Sequence, residues 1–169
     1  MVESKQLTIE EMQQFVSRMI ESKQLTIEEM QQFVDKVSSK KVTVKKVPNE
    51  QLAPFVGLAT VISDDEGTIE IAEDLYTTLS GKKVSNIFIR GFLLHELGHL
   101  HIKPPKAQYL CEYEAHMWAI SKAVELKYAK VEASLREEIL NWSKMEHTEH
   151  YLKFRRASEI YINVHGYRF

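Results

Sequence analysis

The sequence predicts an α+β fold, a small antiparallel three-stranded sheet with helices packed on one face. Three observations carry that prediction. Runs rich in β-formers are confined to residues 41–72, and apolar residues on either side recur at helical spacing. The order of segments, helices then strands then helices, is that of an α+β domain rather than of alternating βα units.

The 169 residues suit one compact domain, with a helical amino-terminal segment at 1–39 and the main domain at 40–169. Apolar residues at 44% and charged residues at 27% exclude a disordered chain, and a single cysteine, Cys111, excludes a disulfide scaffold. Twenty-two basic residues against 24 acidic ones give a net charge of −2, so no broad basic field argues for nucleic acid. The start, MVESKQLTIEE, lacks the apolar core of a secretory signal, and no apolar run approaches the roughly 20 residues of a bilayer span. The expectation is a soluble, cytoplasmic protein with no membrane partner.

The amino-terminal segment holds a perfect repeat: ESKQLTIEEMQQFV stands at residues 3–16 and again at 21–34. Each copy begins a helix with a capping box, Thr8 with Glu11 and Thr26 with Glu29. Ile9, Met12, Phe15 and Val16, and then Ile27, Met30, Phe33 and Val34, form the apolar faces. A duplication this free of change carries no mark of a specialised site. The second copy suffices to cover the core, so the first is expected to pack on another chain, giving a homodimer or a swapped arrangement.

Residues Lys41–Val47, Gly57–Ser63 and Gly67–Ala72 are the strands, and Asp64-Asp65-Glu66-Gly67 between the last two is turn chemistry that predicts a hairpin. Helical spacing returns from Val84 to about Ile102 and stops at Pro104-Pro105. Two further helical stretches follow, Ala107–Lys127 and Val131–Ile162, the second broken near His147.

Chemistry concentrates in the first of these helices. His95-Glu96-Leu97-Gly98-His99 is an H-E-x-x-H sequence, and residues four apart share a helix face, so His95 and His99 present two imidazoles to one ion. Zinc takes such ligands and, in catalytic sites, keeps a position for water; Glu96, one residue round, is placed to act as general base. A third ligand is needed from downstream, where His101, Glu112, Glu114, His116, His147, His150 and His165 are the candidates. In the next helix Leu110, Tyr113, Met117, Ile120 and Val124 form an apolar stripe. Glu114 lies about 40° from Leu110 at its margin, Glu112 lies nearer the opposite face, and His116 flanks the other side. This favours Glu114 as ligand, with His116 and Tyr113 as second-shell or substrate groups. Cys111 and the run Glu146–His150 are weaker metal candidates. Lys153, Arg155 and Arg156 beside Phe154 read as a solvated basic face.

HELGHLHI followed by EYEAHMWAISKA resembles the ImmA/IrrE family of small zinc metallopeptidases of bacteria and their mobile elements. The matching positions are His95, Glu96, Gly98 and His99, then Glu114, Ala115, Trp118 and Ala119, with His116 where the family usually has Asn or Asp. The likeness covers roughly residues 40–125. It implies a zinc-dependent endopeptidase of the minimal gluzincin type, with His95, His99 and Glu114 on zinc and Glu96 catalytic. It also implies a repressor-like protein substrate. The competing expectation is a metal-containing module that sequesters such a partner without cleaving it.

Overall fold

The computed structural model describes residues 23–53, 55–73, 75, 84–103, 107–145 and 147–166, without the His150 side chain. The first repeat copy, and the dimer surface expected of it, therefore lie outside the described residues.

The second copy forms α1 (Ile27–Val37). Its capping box closes as expected. Thr26 Oγ1 accepts from the Glu29 backbone N–H at 3.2 Å, and a Glu29 carboxylate oxygen accepts from the Thr26 N–H at 2.8 Å. Met30, Val34 and Val37 are its buried face and join the same hydrophobic cluster as the strands and the central helix.

Strands β1 (Lys41–Val47), β2 (Gly57–Ser63) and β3 (Glu66–Ala72) form one sheet in the order β1-β3-β2. A short helix, α2 (Asn49–Leu52), links β1 to β2. The β2–β3 hairpin is antiparallel, but β1 pairs with β3 in parallel, so the sheet is mixed rather than antiparallel. Burial explains why β3 takes the centre. Its Ile69 and Ile71 are fully buried, whereas β2 leaves Leu58, Val61 and Ile62 exposed and is suited to an edge. The outer-face ion pairs Lys41–Glu66 (3.0 Å) and Lys45–Glu70 (2.7 Å) carry no directional information. Four-residue spacing on both strands would match Lys to Glu in either orientation. The free edge of β1 is covered by α1, where the Gln31 side chain donates to Val42 O and accepts from Val44 N, each at 2.7 Å.

The central element is α3 (Asn86–His101), capped by Ser85, whose hydroxyl accepts from the Phe88 N–H. It is buried nearly all round through Ile89, Gly91 to Gly98 and Leu100. Beside it lie α4 (Gln108–Glu125), α5 (Ala129–Asn141) and α6 (Leu152–His165), with single 3₁₀ turns at Trp142–Lys144 and Glu149–Tyr151. The break near His147 thus falls where expected.

The face α4 buries is not the one its bulky residues suggested. Glu112, Ala115, His116, Ala119, Ile120 and Ala123 are buried, while Val124 is 51% exposed. Alanines every fourth residue let α4 approach α3 backbone to backbone. A Cβ on Gly98 would lie 2.3 Å from Ala115 O and 2.8 Å from its Cα. Only glycine permits that crossing. Among the described residues, no helix is long and apolar enough to cross a membrane.

Candidate metal centre

The close α3–α4 crossing places the H-E-x-x-H residues against the start of α4. His95, one turn before His99, is 8% exposed, and Nε2 of the two rings lie 3.1 Å apart. A carboxylate oxygen of Glu112, Oε2, lies 3.3 Å from each of those nitrogens. These three groups form a set able to hold a metal ion.

The α4 carboxylate that stands with the two histidines is therefore Glu112 and not Glu114. Glu114 is exposed, two residues or about 200° of helical rotation from Glu112. The expectation failed because it assigned the buried face by side-chain bulk. Contact with α3 runs instead through Ala115 and Ala119, and one turn before Ala115 on that face stands Glu112. The signal was present in the sequence as alanines at 115, 119 and 123 opposite a glycine in the partner helix.

The donor set fits a divalent ion such as zinc on its spacing. Bonds of about 2.0–2.2 Å in a tetrahedral shell put ligand atoms about 3.3–3.6 Å apart, and the three distances here are 3.1, 3.3 and 3.3 Å. Two imidazoles and one carboxylate suit zinc chemically, and three protein ligands leave one vertex of a tetrahedron for another group.

Hydrogen bonds around His95 fix which nitrogen faces His99 and Glu112. His116 is fully buried, and its Nε2 donates to the Leu135 carbonyl at 2.7 Å. Burial and the neighbouring charge of His95 push its pKa down to about 3, so it is neutral and its Nδ1 can only accept. The donor is His95 Nδ1, at 3.2 Å. The other nitrogen of His95, Nε2, is then the one turned to His99 and Glu112 with a lone pair for a metal. His116 thus links His95 Nδ1 to the Leu135 carbonyl. Tyr113 is only partly buried and packs against the core, where burial and its neighbours Tyr161 and Glu114 raise its pKa.

Electrostatics follow from burial. Glu96 is 7% exposed, and loss of water raises its pKa, opposed by the charges of His95 and His99. Burial disfavours a charge on His95 too. Its hydrogen bond to Glu112 and the charges of Glu96, Glu112 and Glu138 outweigh that and raise its pKa. Burial pushes the Glu112 carboxyl up, but hydrogen bonds from both histidines overcome it and hold the group well below the usual carboxylate range.

Three neighbours were missed. Trp142, buried in the core, stands edge-on to His95 and His116, with centroids 5.7 and 4.6 Å away. Glu138 on α5 is close enough to His95 and Glu96 for their charges to shift its pKa, which burial raises to about 7. Lys153 on α6 belongs to no solvated face. Its Nζ lies 2.5 Å from Glu112 Oε1, while Arg155 donates to Met145 O and Arg156 stacks over Tyr109. No local pattern joins residue 138 or 153 to the motif. Cys111 is partly buried and stands outside the histidine–carboxylate group, His147 and His165 are exposed, and His101 stacks on Trp118. The run Glu146–His150 falls partly outside the described residues.

The chain matches no protein-family model, no curated protein and no solved structure.

Proposed function

We propose that the protein is a zinc-dependent endopeptidase of the minimal gluzincin type, similar to the ImmA/IrrE family, with His95, His99 and Glu112 as metal ligands. The observation that carries the proposal is the set of three donor atoms at 3.1–3.3 Å, beside a buried Glu96. Bound there, zinc supplies Lewis acidity and lowers the pKa of a water to about 7.

The chain's own residues do the rest. Glu96, with a pKa raised by burial, takes a proton from the attacking water on a carboxylate oxygen. As the water oxygen bonds to the peptide carbonyl carbon and the C–N bond breaks, Glu96 returns that proton to the leaving nitrogen. His116 holds the His95 ring through Nδ1, and Trp142 excludes water from its flank. The ligand set contains three protein groups among the described residues, which favours catalysis over a closed structural site in a sequestering module. The substrate class that the resemblance suggests is a repressor-type protein in the cytoplasm.

Glu96→Gln tests the reading. The variant should bind zinc like the wild type and lose peptidase activity on a cleaved repressor or peptide by about 10²–10⁴-fold. Cleavage at the wild-type rate would refute the assigned base.

A further inference from the structure

Lys153 is a side chain at the centre for which the proposed reaction has no use. It reaches Glu112 from α6, 41 residues further along the chain. The two oxygens of that carboxylate have divided partners: Oε1 meets Lys153 Nζ at 2.5 Å, and Oε2 meets the His95 and His99 nitrogens at 3.3 Å. Both side chains are withdrawn from water, Lys153 at 22% exposure and Glu112 at 6%.

The lysine is braced. Its Nζ lies 5.0 Å from the ring centre of Phe55 and 4.8 Å from that of Phe154. Phe154 in turn stands edge-on to Trp142 at 5.1 Å, and Trp142 stands against His95 and His116. The ammonium is thus held by the same aromatic group that walls the histidines, and a long flexible side chain loses its freedom to leave.

Resting on the metal-centre reading above, we infer that Lys153 is a positioning residue that makes Glu112 a one-oxygen ligand. A carboxylate can bind an ion through one oxygen or two. With Oε1 hydrogen-bonded to an ammonium, only Oε2 is available, so the shell stays at three protein atoms and keeps an open vertex. Without the lysine both oxygens face the ion. The second then closes in, raises the coordination number and crowds the place where water and substrate carbonyl must sit.

Cobalt(II) titrated into the full chain reads coordination number directly, since four-coordinate cobalt absorbs visible light far more strongly than five- or six-coordinate cobalt. Lys153→Met keeps the apolar stem against Phe55 and Phe154 and removes the charge. It should bind cobalt with a several-fold loss of visible band intensity. Lys153→Arg, which still donates to Oε1, should keep the wild-type spectrum. A Lys153→Met spectrum that superimposes on the wild type overturns the role of Lys153 and leaves the metal centre standing. So does loss of intensity in Lys153→Arg, which decides the question alone if the Met variant does not fold. A wild-type protein that takes up no cobalt overturns the metal centre itself, and this inference with it.

Discussion

Burial disfavours a charge on the carboxyl of Glu138 and raises its pKa to about 7, and Glu96 adds to the cost. His95 and a hydrogen bond from Trp142 only partly offset this. Its folded-state pKa of about 7 stands above the ordinary 4.5. A raised acid contributes stability that is fully present below the unfolded value and is lost as pH rises through the folded one. In chelator, Glu138→Gln should therefore leave stability almost unchanged near pH 4 and raise it by about 1–3 kcal/mol at pH 8. Urea denaturation at the two pH values measures this, and a variant less stable than the wild type at pH 8 would contradict it. At this scale the sequence was half legible. His95, Glu96 and His99 are readable because their spacing alone puts them on one turn. Glu112 was not, because a ligand's face is set by what the helix packs against. Glu138 and Lys153 depend on the placement of α5 and α6, which no local spacing encodes.

Elements were more legible than their pairing. The spans of β1 and β2 and the capping box of α1 follow from local chemistry and are found where it puts them, and the hairpin turn is tighter than its turn-forming residues 64–67, since β3 begins at Glu66. Strand direction was lost because lysines four apart match glutamates four apart either way round. The decisive contact between elements is the α3–α4 crossing at Gly98. Gly98→Ala would drive a methyl into the Ala115 carbonyl, and backbone has no rotamer by which to yield. The expected cost is about 1–3 kcal/mol or more, with zinc affinity reduced because Glu112 is carried on the displaced helix. Calorimetry and metal titration of the variant check both effects; unchanged stability and affinity would mean that the crossing is looser than described.

Across the described residues, the main hydrophobic cluster runs from α1 through the sheet and α3 to α4, α5 and α6, and its Trp142 packs against His95 of the histidine–carboxylate group. Two of the three donors come from α3 and one from α4, and the supporting residues come from α4, α5, α6 and the turn at Trp142. That distribution makes the centre a product of the complete helical layer. It also makes the identity of the third ligand the most sensitive index of whether the layer is assembled as described. Zinc content after dialysis against dilute zinc, compared among the wild type, Glu112→Ala and Glu114→Ala, decides it. The prediction is about one zinc per chain in the wild type and in Glu114→Ala, and loss of tight binding in Glu112→Ala. Retention by Glu112→Ala with loss in Glu114→Ala, or a wild type that holds no zinc, would contradict it.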